Sequence, residues 1–507
     1  MKKFVVLSLI SFLVLAFGAV VYGQEKAPVL EFKASGFIDV ISEYMMNVPQ
    51  AGSATSAGGA TGPVNTVFGP PVAYMLPANN QAFDKKMAYM ENRGRLKFDA
   101  LMGKEMSGTF QFEFDSTRWG ERAPAAADQR NYAGHWGVAD RGALELKHMY
   151  LSFGMPWIPV PTTITAGISP LAIRPGVFLL TDGPGVTAAM KIDPATIKLA
   201  WFKALENRDW AADDADLYAI EANAKIQTIT VGGYYVLFNM NSYPVADGEP
   251  GASSNMWWVG AYMDGKVGPV NLNFDFIYDK GKNQDRRNLA AKAADIKFSG
   301  WGAVANVGFP WEKFLFGFSS IYGSGADANK TSTTAIPGQA VASGSGAISS
   351  KVGAYIIPAG TEGTTGYSLI LCGAGINRGN TGYFQAASGG HAAATFGGLW
   401  INKLYGALEV SPQFKTRIEA MYIRDNTKNG NTIGNALTAA NRLRDDKDIG
   451  WEIDWFNTLQ LYKNLSFQFG GGMLFAGDAM DFRNTTTNTN DSPKNPWVIT
   501  TNLTYSF

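Results

Sequence analysis

Trp497-Val498-Ile499-Thr500-Thr501-Asn502-Leu503-Thr504-Tyr505-Ser506-Phe507 is the last stretch of the chain, and it has a period of two. In an extended chain its aromatic and large aliphatic side chains share one face, and mostly small or polar side chains share the other. Such a period predicts a β-strand. A soluble protein seldom leaves an apolar face on a terminal strand, whereas a lipid bilayer would cover it. The stretch therefore predicts the closing strand of a transmembrane β-barrel.

The other end of the sequence predicts export. Lys2 and Lys3 precede an apolar run over residues 4–21, and Val21-Tyr22-Gly23 offers a cleavage site before Gln24. These features are typical of a secretory signal peptide over residues 1–23, with an uncleaved membrane anchor as the alternative. No later run approaches the roughly 20 apolar residues that a membrane helix needs. We therefore expect residues 24–507 to cross a membrane as strands.

The composition argues against several classes of function. The 507 residues include 43 Lys plus Arg and 43 Asp plus Glu, so net charge gives no indication of a nucleic-acid partner. The single cysteine, Cys372, excludes an intramolecular disulfide framework and a Cys-rich metal site. The three histidines are too few and too scattered to indicate a zinc or haem site. The sequence has no GxxxxGK[ST], GxSxG or HExxH motif. We expect no metal, no cofactor and no catalytic residue.

Alternating segments recur along the chain, and short and long connections take turns between them. Short turns are predicted at residues 103–106, 154–161, 193–194, near 227, 268–269, 310–313, 411–412 and 463–464. The main long loops are predicted at residues 47–84, 117–141, 170–184, 323–393, 425–448 and 478–495. The count gives about 18 strands, with 16 as the alternative, and single-chain bacterial barrels have an even number. The sequence therefore predicts an all-β, antiparallel, up-and-down transmembrane barrel with both ends on the periplasmic, short-turn side.

The two faces of the late strands support a membrane barrel over a soluble one. Trp451, Ile453 and Trp455 alternate with Glu452 and Asp454. An apolar exterior around a polar interior suits a water-filled pore in lipid. The alternative, a soluble β-sandwich or propeller, would place the polar face outward, and a propeller would also show blade repeats, which we do not find.

Charged residues form a ladder on the predicted inner face of two neighbouring strands. The members on the first strand are Glu91, Arg93, Arg95, Lys97 and Asp99, and those on the second are Glu113 and Asp115. Two registers fit, either Arg95 with Asp115 and Lys97 with Glu113, or Arg93 with Asp115 and Arg95 with Glu113. The ladder would form cross-strand pairs in the wall, a transverse field in the lumen, or both.

Residues 170–184 are unusually apolar for an extracellular loop. An exposed run of that kind needs a surface, so we expect it to fold into the barrel and present Arg174 and Asp182 to the lumen. Packing at the rim or on a neighbouring subunit is the alternative. His148, the one histidine in an alternating segment, is expected to face lipid or a subunit interface, because a lone histidine is seldom catalytic.

The sequence resembles the trimeric outer-membrane porins, in particular homotrimeric porins of sulfate-reducing and related Gram-negative bacteria. The stretches that carry the resemblance are Asn92-Arg93-Gly94-Arg95-Leu96-Lys97-Phe98, Met149-Tyr150-Leu151-Ser152-Phe153 and Thr165-Ala166-Gly167-Ile168-Ser169-Pro170-Leu171-Ala172. The aromatic carboxy-terminus separately resembles the carboxy-terminal signal of bacterial outer-membrane barrels. The resemblance implies a constriction made by the third loop with Arg174 and Asp182, opposite a basic wall. It also implies a homotrimer among outer-membrane lipid and lipopolysaccharide, assembled by the barrel-assembly machinery through Leu503, Tyr505 and Phe507. Loop 323–393 is longer than this family pattern, so it is a second candidate for narrowing the pore.

These observations predict a passive diffusion channel for small hydrophilic solutes and ions in the cell outer membrane. One alternative is a conduit or sheath for a partner, such as a secretion or electron-transfer complex. A barrel enzyme is the other, and it is disfavoured because no catalytic triad can be assigned.

Overall fold

The computed structural model describes residues 29–48, 85–119, 144–206, 214–244, 250–285, 296–327, 351–358, 367–372, 396–484 and 487–507. The predicted signal peptide and most of the predicted loops 47–84 and 117–141 lie outside these ranges. Much of loop 323–393 also lies outside them.

Within these described ranges, eighteen long strands form one closed antiparallel ring, as the sequence predicts. In chain order they are β1 (Leu30–Val48), β2 (Lys85–Met102), β3 (Met106–Arg118), β4 (Leu144–Gly154), β5 (Thr162–Ile173), β6 (Leu179–Ile192), β7 (Ala195–Leu205), β8 (Ala215–Ile226), β9 (Ile229–Pro244), β10 (Pro250–Val267), β11 (Val270–Asp285), β12 (Ile296–Trp311), β13 (Phe314–Gly323), β15 (Leu399–Ser411), β16 (Phe414–Asp425), β17 (Asp448–Tyr462), β18 (Leu465–Ala476) and β21 (Trp497–Ser506). Each pairs with its neighbour in the chain, and β1 pairs with β21 to close the ring.

The remaining elements are short. A two-residue strand, β14 (Lys351–Val352), pairs with β12 in parallel. Strands β19 (Phe482–Asn484) and β20 (Thr489–Asp491) pair with each other in a separate two-stranded sheet. One helical turn, α1 (Leu369–Cys372), and one 3-10 turn (Asp478–Met480) complete the described chain. Among the described helices, none has the length and apolar character required to cross a membrane.

The eight predicted short turns all join strands at one end of the barrel. Seven of the nine connections at the other end have nine or more residues, but the predicted long loop at 170–184 is wrong. There β5 continues to Ile173 and β6 begins at Leu179, so only five residues separate the two strands. The reason is that Leu171, Ile173 and Leu179 are buried, so the apolar residues of this run continue the two strands.

The strand that closes the barrel has the predicted faces. Val498, Thr500 and Asn502 are buried on the inner side, whereas Ile499 and Tyr505 are about half exposed on the outer side. The amide of Phe507 donates to the carbonyl of Gly36 at 3.0 Å, and the amide of Gly36 donates back at 2.8 Å. A Cβ on Gly36 would lie 2.3 Å from the carbonyl oxygen of Arg95 and 2.9 Å from the ring of Phe507, so only glycine fits at this seam.

The outer surface is an apolar band with aromatic edges. Trp451, Ile453 and Trp455 are 47–56% exposed, whereas Glu452 and Asp454 between them are fully buried inside. On the side of the band nearer the longer connections, a row of outward aromatic rings runs from β9 to β17. It consists of Tyr235, Trp257, Tyr278, Trp301, Tyr322, Trp400, Tyr422 and Trp451. Near the short turns, Trp311, Phe314 and Phe316 form a second group. Aromatic girdles above and below an apolar band are typical of a barrel embedded in a bilayer.

Candidate functional site in the barrel lumen

The basic ladder on β2 meets one carboxylate on β3. Arg95 lies opposite Glu113 and donates to it through Nε at 2.8 Å, as the second predicted register requires. Arg93 binds the same carboxylate through Nε at 2.8 Å and Nη2 at 2.6 Å, because the register shifts between Asn92 and Gly94. The side chain of Asp115, its partner in that predicted register, lies outside the described part of the structure.

The other members of the ladder on β2, Lys97, Asp99 and Glu91, have other contacts. Lys97 lies opposite Gln111 and not Glu113, so the first predicted register is wrong; its ammonium pairs with Asp99 at 3.0 Å. Asp99 also accepts from Thr109 at 2.6 Å. Glu91 is buried on the same inner face.

His148 faces the lumen, so the expectation that it faces lipid or a subunit interface is wrong. An irregularity in the pairing of β3 with β4 opposes Gln111 to His148 and the next residue, Phe112, to Leu146. The extra residue, Lys147, shifts the alternation of β4, and both Lys147 and His148 turn inward. The two ring nitrogens of His148 lie 2.7 Å from Gln111 Oε1 and from Asp182 Oδ1.

The tip of the β5–β6 hairpin leaves the barrel wall. Pairing of β4 with β5 ends at Met149 with Ile168, and pairing of β6 with β7 begins at Gly185 with Phe202. Across the segment 169–184, residues 169–173 pair only with residues 179–183. We call this part of the hairpin the strap.

The strap packs on the inner face of the distant strands β9 and β10. Its Phe178 is fully buried, with its ring stacked on Tyr234 at 5.0 Å between centroids and tilted against Trp258 at 6.0 Å. Leu171, Ile173 and Leu179 of the strap are also buried. Its apolar side chains therefore draw the hairpin across the interior of the barrel.

Arg174 anchors the far end of the strap. Its Nε donates to Asp275 at 2.5 Å, its Nη2 donates to Asp275 at 2.8 Å and to Asp264 at 2.9 Å, and its Nη1 also bonds Asp264. The guanidinium lies 4.2 Å from the centre of the Tyr262 ring. Burial alone would lower the pKa of Arg174, but hydrogen bonds to Asp275 and Asp264 outweigh it and hold the pKa above its ordinary value.

Asp182 anchors the near end of the strap to β4. Its carboxylate contacts Lys147 at 2.6 Å as well as His148, and Lys147 reaches Glu113 at 3.1 Å. One network of charges therefore joins the basic ladder to the strap. The strap is held by ion pairs at two walls, on β4 and on β10 and β11.

A second piece of chain, residues 351–358 and 367–372, also lies within the barrel; we call it the inserted segment. Its first part crosses β10 to β12, where the amide of Ile356 donates to Asp279 at 3.1 Å and its carbonyl accepts from Trp258 Nε1 at 2.9 Å. Ala354, Tyr355 and Ile357 are buried there.

The second part of the inserted segment is fixed to β15 and β17. The carboxylate of Glu452 accepts from Ser368 Oγ at 2.7 Å and from the amide of Ile370 at 3.0 Å. Lys403 donates to the carbonyl of Tyr367 at 3.2 Å, and the Tyr367 hydroxyl donates to Gly176 of the strap at 3.0 Å. The strap and part of the predicted loop 323–393 therefore meet inside the barrel.

The strap lies between walls of opposite character. Arg93, Arg95, Lys97 and Lys147 project from β2 and β4, whereas Asp264 and Asp275 project from β10 and β11. Strand β11 is nine places from β2 in the ring of 18, so these groups occupy opposite sides. On each side these charges are paired with groups of opposite sign, namely Glu113, Asp99 and Asp182 on one side and Arg174 on the other.

Sequence reasoning missed Lys147, Asp264, Asp275, Asp279 and Glu452 as contacts of the strap and the inserted segment. Two of them, Asp275 and Glu452, stand at alternate positions with apolar neighbours, in Asn273-Phe274-Asp275-Phe276 and Trp451-Glu452-Ile453, and this signal marks them as inward-facing. Within the described ranges, no group of three or more His, Cys, Asp or Glu side chains is placed to hold a metal ion.

No protein-family model and no curated protein sequence matches this chain. Among solved structures, the outer-membrane protein OpdK of Pseudomonas aeruginosa is 9% identical with a TM-score of 0.45, over 94% of this chain and 99% of OpdK. OpdQ of Pseudomonas aeruginosa is 9% identical with a TM-score of 0.47, over 94% and 98%. OccAB4 of Acinetobacter baumannii is 11% identical with a TM-score of 0.44, over 94% and 98%. Likeness at this level leaves the function to be argued from the lumen itself, and the resemblance to porins of sulfate-reducing bacteria remains a prediction.

Proposed function

We propose that this chain is a passive diffusion channel for small hydrophilic solutes and ions in the outer membrane. The observation that carries the proposal is the inversion of the barrel, with aromatic and aliphatic side chains outside and charged side chains inside a closed ring. A closed ring satisfies every backbone group of the wall without water, and a polar interior keeps a path for hydrated solutes.

Passage depends on size and on charge. The strap and the inserted segment narrow the interior, so large solutes are excluded. The basic side of the lumen attracts anions toward the ladder, whereas on the opposite wall Arg174 compensates the charge of Asp264 and Asp275. No bond is made or broken during transport, and the solute gradient supplies the driving force.

The surroundings of the channel belong to the same proposal. The chain is exported by its signal peptide and is inserted by the barrel-assembly machinery, which reads Leu503, Tyr505 and Phe507. Its ends lie in the periplasm, lipid and lipopolysaccharide cover the apolar band, and three copies associate. The start of β1 and the end of β21 lie at the short-turn end, which supports the position of the ends.

Conductance across a planar lipid bilayer tests the proposal. The purified protein should add open steps whose current is proportional to voltage, and a trimer should close in three equal steps. A preparation unfolded by heat is the control and should add none. A folded protein that leaves the bilayer silent would contradict a channel and favour the conduit for a partner.

A further inference from the structure

On the inner face of β15 and β16, an arginine lies flat against the wall. The guanidinium of Arg417 is 4.1 Å from the centre of the Tyr405 ring. The ring itself fits because its neighbour is Gly317, where a Cβ would lie 2.1 Å from the ring atom Cζ. The stack fixes the plane of the guanidinium along the wall.

The guanidinium of Arg417 makes a hydrogen bond through Nε, whereas its two terminal nitrogens make none to the described residues. Nε of Arg417 donates to Glu419 Oε1 at 2.5 Å, and Lys403 occupies Oε2 of the same carboxylate at 2.8 Å. Within the described residues, the two terminal nitrogens of Arg417 have no acceptor. Arg417 and Lys403 thus share the carboxylate of Glu419, and the more exposed of the two, Arg417, keeps its two terminal nitrogens available as donors.

The other acids nearby do not compensate Arg417. Glu409, on the same inner face, is paired with Lys415 at 2.7 Å. Asp454 lies opposite Glu419 on β17, but it is fully buried beside Leu369 of the inserted segment. The side chain of Arg417 is 37% exposed, and Arg417 lies nearer to the short turn than Glu419 and Asp454 do. A solute in the lumen therefore meets the charge of Arg417 directly.

The site also has a defined position along the pore. Lys403 joins Glu419 to the carbonyl of Tyr367, so the inserted segment lies directly on the extracellular side of the stack. Arg417 is only the fourth residue of β16 after the short turn. A solute that has passed the inserted segment reaches Arg417 before it leaves the barrel.

Resting on the proposed channel function, we propose that Arg417, oriented by Tyr405, is an anion-binding subsite on the periplasmic side of the inserted segment. Its ligand is the carboxylate or phosphate group of a permeating solute. Two parallel donors of a guanidinium match two oxygens of either group, which a lysine ammonium cannot do.

Channel block in planar bilayers tests the subsite. Benzoate and inorganic phosphate are added in separate arms on the periplasmic side, and the concentration that halves the potassium chloride current is measured. The variants are Arg417→Gln, Arg417→Lys and the matched control Lys415→Gln, which removes one positive charge from the exposed Lys415–Glu409 pair two residues away on the same face.

We expect Arg417→Gln to raise the half-blocking concentration by roughly fivefold, and Arg417→Lys to raise it by roughly half as much, since a point charge replaces the fork. Lys415→Gln should stay close to the unaltered protein. Block by only one of the two anions would support the subsite and identify its ligand group. The subsite would be overturned if Arg417→Gln or Arg417→Lys left the half-blocking concentration unchanged, or if Lys415→Gln raised it as much as Arg417→Gln does. It would also be overturned if neither anion blocked the unaltered channel. A protein that does not conduct at all would instead contradict the proposed function.

Discussion

Replacing Arg174 by Gln should loosen the strap at its far end. The substitution keeps a polar side chain, shorter than that of arginine, but removes the charge and the fork that hold Asp264 and Asp275. Asp275 is almost fully buried, so the change leaves one carboxylate without its counter-charge in a site that water reaches poorly.

The magnitude follows from these contacts. Removing one partner of a buried ion pair costs about 3–5 kcal/mol, and the 38% exposure of Asp264 places this case near 3 kcal/mol or below. Because 1.4 kcal/mol is a factor of ten, about 3 kcal/mol raises the ratio of released to docked strap by roughly 150-fold. Phe178 and Asp182 still hold the strap, so it should remain docked most of the time.

Single-channel recording at constant voltage is the measurement. We expect brief openings above the normal conductance level and a shift of the reversal potential toward cation selectivity, since Asp264 and Asp275 then act on the lumen. Arg174→Lys, which keeps the charge, should give a smaller effect. Raising the pH to about 10 should not release the strap of the original protein, because the pKa of Arg174 is raised above an already high value.

The reasoning would be refuted if Arg174→Gln left both the conductance and the reversal potential unchanged in a fully folded channel. Equal effects of the Gln and Lys variants would show that the fork, and not the charge, holds the strap.

Three further predictions concern the ladder and the seam. Changing Arg93, Arg95 and Lys97 together to Gln should move the reversal potential toward cations, and an unchanged potential would make the ladder a structural feature of the wall. Deleting Phe507 should impair outer-membrane assembly without affecting export across the inner membrane, as measured by fractionation; normal assembly would contradict a role for the seam. Gly36→Val should lower the free energy of unfolding by about 1–3 kcal/mol in detergent, because its Cβ overlaps the carbonyl of Arg95. Unfolding at an unchanged denaturant concentration would contradict that overlap.

The parts of this fold that were predictable depend on local pattern. Trp451 to Trp455 show their outer and inner faces in five residues, because lipid and water alternate with the side chains of every strand. Turn residues such as Asp193-Pro194 and Gly268-Pro269 mark the short connections, so the strand count and the parity follow.

The parts that were not predictable depend on distant partners. One extra residue at Lys147 turns His148 inward, and nothing in the sequence of β4 marks that irregularity. Arg174 was expected in the lumen, but its partners lie 90 and 101 residues later in the chain. The inserted segment is held largely through its own backbone, at Ile356, Tyr367 and Ile370, and a backbone contact has no signature in the sequence.

The two anchors of the strap have a mechanical consequence. A barrel wall is one strand layer thick, and a ring of that kind flattens into an ellipse more readily than it stretches along its strands. The strap connects β4 with β10 and β11 across the interior, and its ion pairs resist separation of these walls. Lateral pressure from the bilayer would otherwise widen one axis of the cross-section and narrow the other. We therefore expect the strap to reduce changes in the bore under tension in the surrounding membrane.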